Sequence, residues 1–592
     1  MPHLALPVLT SFLRSQGVEV IQRDLNAEAY DAVLSRAYLE SVVDRLQADY
    51  SIGQWRARPL PEEIQWALTE GRKIASQVEA AKAVFRNSDF YNGPKSFEAF
   101  QVMAQSLQLA SLPFLPAQLD LLNYIPAGQV DSSRSLLQAV RDSRHNMFLD
   151  LFQRIILPDI EREQPDILGI SIPTMGQMLP GMTLAHLVRQ AGLTCHITVG
   201  GPHISMLREQ IPKVPALFNL IDSAVVFDGE LPLLRLVEVL AGDGKLENVP
   251  NLIYKAGDRI QANCSDDFRR RATQVATMMP DFDGLPLDRY LVPEPVLPLM
   301  TAHGCYHGLC AFCNVGYGAG KGFYPLPVDQ ILDQMMALHQ KYGTRHIFFA
   351  DEAIPPRTLR ELSTRLAERG SPIHWCGCVR FERALSQELL DAMSRGGYRM
   401  ALFGLETASE RIIQCMTKGT RRETMSRVLK EGAQAGIWNH TFFFFGFPTE
   451  TMEDAQETVN FIYAHQDSIH SASPGEFVLE RYSPVYLNPA RFGIKRVIEK
   501  PERDLAIYFD YEPESGLDEN MAHTIVERLL DVLPIKRFPQ YYVHDVNRFL
   551  YASYLHDHVQ PLPPWLADEE IDFTVAHSAS LRGASQGAAT AF

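Results

Sequence analysis

Cys305, Cys310 and Cys313 lie in the stretch Thr-Ala-His-Gly-Cys-Tyr-His-Gly-Leu-Cys-Ala-Phe-Cys-Asn-Val-Gly, residues 301–316, spaced C-x4-C-x2-C. Three thiolates can hold three irons of a [4Fe–4S] cube and leave the fourth iron open, since cysteine is the usual cluster ligand. An open iron can bind a small molecule, much as a catalytic zinc keeps one position free. A zinc site would need a fourth ligand, which His303 or His307 is close enough to supply. Three buried structural thiols are the remaining alternative. Gly304 and Gly308 between the cysteines suit a loop wrapped around a cluster better than a helix or strand interior.

Such a loop needs a frame, and residues 297–495 provide the pattern of one. Strands are expected at Leu297–Ala302, His346–Glu352, Ile373–Arg380, Met400–Glu406, Asn439–Thr451 (with its following loop) and Ser473–Glu480. Helices are expected between them at Val328–Lys341, Leu359–Arg369, Glu388–Gly396, Arg422–Ala435 and Met452–His465. Five to six strand–helix repeats predict a partial parallel barrel with its site at the carboxyl ends of the strands. Asp351, Glu352, Arg380, Glu406, Thr449 and Glu450 all follow apolar runs. A carboxylate there could pair with the ammonium of an amino acid, and an arginine could clamp its carboxylate. Each also reads as a helix cap or a surface charge. Cys376 and Cys378 alternate along one strand and share a face, with core thiols the preferred reading over site thiols.

The cysteine stretch resembles the cluster loop of the radical S-adenosylmethionine (SAM) superfamily. That loop usually reads C-x3-C-x2-C with an aromatic before the last cysteine, here Phe312. The extra residue between the first two cysteines resembles a Gly-Cys-Tyr-Trp-Gly-x-Cys variant of cobalamin-binding members. Phe-Ala-Asp-Glu (349–352), Phe-Gly-Leu-Glu-Thr-Ala-Ser-Glu-Arg (403–411) and Phe-Gly-Phe-Pro-Thr-Glu-Thr (445–451) resemble the second-, fourth- and fifth-strand elements of the family. The resemblance implies that Cys305, Cys310 and Cys313 hold a [4Fe–4S] cluster. It implies that Phe312, Asp351, Glu352, Arg380, Glu406, Thr449 and Glu450 contact SAM.

Upstream, Leu6, Leu9, Phe12 and Leu13 share a helical face, Gly17 ends that helix, and Val18–Ile21 reads as a short strand before Asp24-Leu-Asn. Residues 27–163 read as mostly helical, with amphipathic patterns at Ala29–Leu46, Glu62–Phe85, Phe97–Leu109 and Leu136–Ile156. They form an insertion that packs on a sheet or serves as a lid. Strands at Ile167–Ile172, His196–Gly200 and Ser223–Phe227 alternate with helices Leu179–Gln190 and Leu231–Leu240, as in a parallel sheet. The loops Ser171–Thr174, Gly200–His203 and Asp228–Glu230 should share one rim. This half resembles the cobalamin-binding domain of the same superfamily. The resemblance implies cobalamin contacts at Ser171, Thr174, Gly200, Gly201, Pro202, His203, Gly229 and Glu230. A first strand and Pro-rich loop of that family have no counterpart here: either the chain has lost that strand or, the preferred reading, the sequence starts at an internal methionine. The Asp-x-His-x-x-Gly segment of many cobalamin proteins is also missing, and His203 is read as a turn residue rather than a cobalt ligand. A scaffold that has lost cobalamin is the alternative.

The 592 residues carry a net charge of −16, which argues against nucleic acid or an anionic membrane as the main partner. No run of about 18 apolar residues suggests a membrane span. The start lacks a signal-peptide pattern, and clustered cysteines fit a reducing cytoplasm. The expected α/β layout has five parts. A doubly wound, Rossmann-like cobalamin-binding domain spans 1–245, with its helical insertion at about 27–163, and a linker covers 246–296. A partial (β/α)6 radical SAM barrel of the TIM type covers 297–495, a helical cap over the barrel mouth 496–575, and a disordered tail 576–592. The helical cap is expected from Asp518–Leu533 and Tyr542–His556. Cys195, Cys264 and Cys415 carry no signal.

The function that the resemblance implies is reductive cleavage of SAM and cobalamin-dependent C-methylation of an unactivated carbon, in a natural product or peptide. Cyclisation, ring rearrangement or another group transfer by the same cofactors is the alternative. An iron–sulfur redox or metal sensor without catalysis is the alternative of another class. An electron donor such as flavodoxin or ferredoxin is the implied protein partner.

Overall fold

Continuous apolar runs flanked by helices of opposite amphipathic face demand a sheet buried on both sides. The computed structural model contains two such sheets, in one of which the strand Ile167–Ser171 is only half-buried. It describes residues 1–51, 61–263, 278–315, 322–532 and 544–562. Cys264, Tyr541, Tyr542 and the 576–592 tail lie outside them. Two compact units divide the chain, an N-terminal one built on 5–293 and 500–507 and a C-terminal one built on 294–499 with the chain from 508.

In the N-terminal unit, α1 (Ala5–Ser15) is followed by no strand. The backbone of 18–21 pairs with no sheet; Arg14 takes the Val20 carbonyl at 2.8 Å, and Ile21 is 62% exposed. The insertion contains α2 (Leu25–Val33), α3 (Arg36–Ser51), α4 (Glu62–Phe85), α5 (Gly93–Ser111), a hairpin of β1 (Gln118–Leu119) and β2 (Tyr124–Ile125), α6 (Ser133–Ala139), α7 (Met147–Ile155) and α8 (Leu157–Glu163). Two patterns that read as single helices are broken by polar caps. Ser35 accepts the Tyr38 amide at the head of α3, and Asn146 accepts that of Phe148 at the head of α7.

The sheet follows: β3 (Ile167–Ser171), α9 (Met178–Gln190), β4 (His196–Gly200), α10 (Pro202–Met206), β5 (Ser223–Val225), α11 (Glu230–Leu240), β6 (Leu252–Ala256) and β7 (Arg259–Ala262). β3, β4 and β5 run parallel, and β6 and β7 add an antiparallel hairpin. The order is sequential, β3-β4-β5-β6-β7, so these strands carry no reversal of order.

In the C-terminal unit a six-stranded parallel sheet is assembled from β8 (Val296–Leu299), β11 (His346–Phe349), β12 (His374–Val379), β13 (Tyr398–Glu406), β14 (Trp438–Phe445) and β15 (Ser471–Glu476). The strands lie in chain order from β8 at one edge to β15 at the other, an open partial barrel. The crossover helices are α12 (Val328–Tyr342), α13 (Pro356–Glu368), α14 (Gln387–Arg395), α16 (Arg422–Gln434) and α17 (Met452–Ala464), with the short α15 (Glu410–Cys415) ahead of α16. The small pair β9 (Ala302–His303) and β10 (Tyr324–Pro325) closes the base of the cysteine loop. Thr451 and Asp454 cap α17 reciprocally.

Beyond the barrel come α18 (Pro484–Leu487) and a three-stranded antiparallel sheet of β16 (Leu479–Glu480), β17 (Ile494–Ile498) and β18 (Tyr508–Pro513). Two helices follow, α19 (Glu519–Val532) and α20 (Asp545–Asp557). One of the two helices expected as a cap is corrected here: α19 packs at the carboxyl ends of β14 and β15, where His523 meets Glu476 at 2.7 Å, but α20 does not lie over the mouth. Asp557 reaches Arg345 and His374 at the starts of β11 and β12, and the Phe549 ring meets His346 edge-on at 5.4 Å. Trp375, on the other face of β12, bonds instead to the Gly396 carbonyl behind α14. α20 therefore floors the barrel on the face away from the crossover helices. His346 and His374 are buried there and held neutral, pushed down to about 3 and about 2, mainly by burial.

Candidate active site

Two left-handed glycines, Gly304 and Gly308 (φ +57°), shape the cysteine loop. Gly304 has φ +75°, and a Cβ there would sit 2.0 Å from the Gly322 carbonyl oxygen. The three thiols are unpaired and half-buried. Cys313 donates its amide to the Cys310 carbonyl at 3.2 Å. Burial, and then Glu352, pushes its thiol up. Arg380, at the tip of β12, directs Nη1 to Cys310 Sγ at 3.7 Å. Among the described residues no three His, Cys, Asp or Glu side chains gather around a point that would hold one metal ion. A tetrahedral zinc would draw its sulfurs together on bonds of roughly 2.3 Å. Three cysteine thiols are the usual ligand set of an iron–sulfur cluster, and Arg380 adds a donor beside one of them.

The other strand-tip residues divide by what already occupies them. Asp351 is buried, and its oxygens accept the Thr301 amide (3.0 and 2.8 Å) and hydroxyl (2.5 Å). It ties β11 to β8, and burial nonetheless pushes it up to about 7. Glu352 keeps solvent access, and close packing pushes its carboxyl up. Glu480, next to it electrostatically, is raised to about 7 by burial and by Glu352, against a hydrogen bond from Asn314. Glu406 sits at φ +59° on a bulge in β13 and pairs with Lys418 Nζ at 2.7 Å. Thr449, at φ +72°, gives its carbonyl to Arg411 at 2.6 Å. Glu450 is fully buried. Its Oε2 accepts the amides of Gly446 (2.6 Å) and Phe447 (3.2 Å), its Oε1 has no partner, and burial raises it to about 7. Phe312 packs edge-on against Phe444 at 5.3 Å, with Lys418 Nζ 5.4 Å from its ring centre.

The expected arginine clamp at Arg380 is thus turned toward Cys310, and Asp351 is committed to Thr301. Lys418 and Glu480 escaped the sequence reading. Lys418 follows no apolar run; its only signal is the Thr-Lys-Gly-Thr turn after α15. Cys376 is buried in the core, whereas Cys378, two residues on, feels Glu352 and Lys418 and borders the site.

In the N-terminal unit, the three loops expected on one rim do adjoin. Ile172 donates its amide to Gly200 at 2.8 Å, and Phe227 donates to Ser205 Oγ at 2.8 Å. Ser171 ends β3, Thr174 accepts the Gln177 amide, Gly201 has φ +105° and Pro202 opens α10. Gly229 and the buried Glu230 open α11, and burial with Asp228 raises Glu230 to about 7. His203 is buried and neutral, pushed down to about 4, and its Nδ1 lacks a partner.

With this geometry in hand, the comparison with known proteins is decisive for one stretch: residues 299–462 match the radical SAM superfamily model. Residues 299–462 belong to the radical SAM superfamily. All three cysteines and the tips of β8 and β11–β14 fall inside this radical SAM domain. Among curated proteins, an uncharacterised methyltransferase of Pyrococcus horikoshii is 28% identical over 306 residues, 51% of this chain and 65% of that protein. Cytidylyl-2-hydroxyethylphosphonate methyltransferase of Streptomyces wedmorensis is 24% identical over 357 residues, 52% of this chain and 64% of that protein. The chain thus spans just under two thirds of the length of these relatives. In fold, it is similar to the radical SAM methyltransferase TsrM from Kitasatospora setae, solved with cobalamin and a [4Fe–4S] cluster. The TM-score is 0.52 at 15% identity, over 69% of this chain and 92% of that one. Among the described residues no helix is long and apolar enough to cross a membrane.

Proposed function

We propose that this protein is a cobalamin-dependent radical SAM methyltransferase acting on an unactivated carbon of a small molecule or peptide. The observation that carries the reading is the three-thiol loop at the carboxyl ends of a six-stranded parallel sheet, inside the radical SAM domain. The methyltransferase activities named for the two curated relatives support the reaction class, and the fold shared with TsrM supports the cofactor pair. When bound, the cluster supplies the electron that cleaves SAM, and cobalamin supplies the methyl carrier; that chemistry belongs to the cofactors.

The chain's residues position and shield. Cys305, Cys310 and Cys313 hold the cluster. Glu352 and Glu480, two neighbouring carboxyls raised by burial, favour a cationic ligand such as the sulfonium and ammonium of SAM. Lys418, fixed by Glu406 above Phe312, supplies a positive charge for its carboxylate. The rim made by Ser171–Thr174, Gly200–His203 and Gly229–Glu230 holds cobalamin. A low-potential one-electron donor is the required partner.

The test uses SAM carrying a trideuterated methyl group, a strong reductant and cobalamin, with anaerobically reconstituted protein. Label on cobalamin together with S-adenosylhomocysteine, both absent without cobalamin, is the expected result. Label that stays entirely on SAM and methionine overturns the methyl-transfer reading.

A further inference from the structure

The turn that follows α15 presents three successive carbonyls to the cysteine loop and its neighbour. Met416 accepts the Ala311 amide at 2.8 Å, Thr417 accepts a ring nitrogen of His307 at 2.9 Å, and Lys418 accepts Arg380 Nη2. Gly419 completes the turn at φ +74°, where a Cβ would stand 2.8 Å from the His307 ring and 3.4 Å from Arg380 Nη2. Arg380 is 8% exposed, so its charge is not spent on water. One of its edges is fixed by the Lys418 carbonyl. Its Nε lies 3.4 Å from Glu382, which also accepts the Tyr306 hydroxyl at 2.7 Å. The remaining nitrogen, Nη1, meets Cys310 Sγ. Through its ion pair with Glu382, the guanidinium thus links Cys310 to Tyr306, the residue beside Cys305.

We propose that Arg380, seated by the Met416–Gly419 turn, is a positioning residue that fixes Cys310 and raises the reduction potential of the cluster. The inference rests on the functional reading above. Hydrogen bonds to ligand sulfurs and nearby charge both set the potential of an iron–sulfur cluster. A fixed cation with an N–H on sulfur stabilises the reduced, more negative state. The step in question is uptake of one electron by the oxidised cluster from an external reductant such as dithionite, with no bond made or broken. Outer-shell partners of this kind typically contribute about 10–100-fold to metal retention.

The test is a redox titration followed by electron paramagnetic resonance, with iron and sulfide assayed per chain, on the full-length protein and R380Q, R380K and G419A. R380Q should titrate at a more negative potential than wild type and lose iron faster to a chelator, by about 10–100-fold. R380K, which keeps the charge and loses the fork, should fall between. G419A should move the potential the same way as R380Q, because alanine at φ +74° and against the His307 ring strains the turn whose Lys418 carbonyl seats the guanidinium. R380Q at the wild-type potential with wild-type retention overturns the inference while leaving the methyltransferase reading intact. If R380Q yields no folded protein, R380K and G419A decide, and both at the wild-type potential overturn it. A wild-type chain that takes up no [4Fe–4S] cluster overturns both.

Discussion

At the scale of single residues, Glu450 shows how burial sets behaviour. Its carboxyl is raised from 4.5 to about 7 by burial, partly offset by two backbone amides, with Asp454 and Arg411 as the charged neighbours. The folded chain thus prefers the protonated form. That preference contributes stability fully present below about pH 4.5 and lost as the pH rises through about 7. The separation corresponds to roughly 3 kcal/mol at most. Glu450→Gln cannot titrate and can still accept both amides. Its stability relative to wild type should therefore rise between pH 4.5 and 7 and then level off, as read by thermal melts across that range. Parallel profiles would contradict the assignment. Residues at strand tips were legible because an apolar run ending in a polar group marks the carboxyl end of a buried strand. Which way each turns was not, because its partner is distant in sequence: Asp351 is claimed by Thr301, and Glu406 by a lysine in an irregular turn.

At the scale of elements, the barrel was readable almost strand by strand, since its strands are buried on both faces and spaced by amphipathic helices. The cysteine loop depends on Gly304. Gly304→Ala should cost about 1–3 kcal/mol of local strain and lower cluster loading while leaving the barrel's circular dichroism unchanged; full iron content in the variant would refute this. The floor of the barrel was not readable. α20 carries aromatic, histidine and acidic residues on a helix with no marked apolar stripe, and its partners are histidines at strand starts. Phe549 is fully buried against His346. Phe549→Ala should destabilise the C-terminal unit by about 3–5 kcal/mol, seen as a lowered melting temperature. An unchanged melt would mean that α20 does not floor the barrel. The strand expected at 18–21 failed for a related reason: an apolar run predicts a strand only where a neighbour offers its backbone, and here Arg14 takes a carbonyl instead.

At the scale of the whole molecule, two α/β units each bring the ends of parallel strands together. A cluster and SAM are proposed for one and cobalamin for the other. Cys310→Ala should therefore abolish iron–sulfur absorbance yet keep cobalamin through gel filtration as wild type does; joint loss would tie both cofactors to one site. The measurement that tests the account most directly is the quantity of 5′-deoxyadenosine formed from SAM by the anaerobically reconstituted, reduced protein. Wild type should form it, and Cys310→Ala should lose it by more than about 100-fold, beyond the cost of outer-shell changes. Wild-type protein that carries its full iron complement and cleaves no SAM would contradict it.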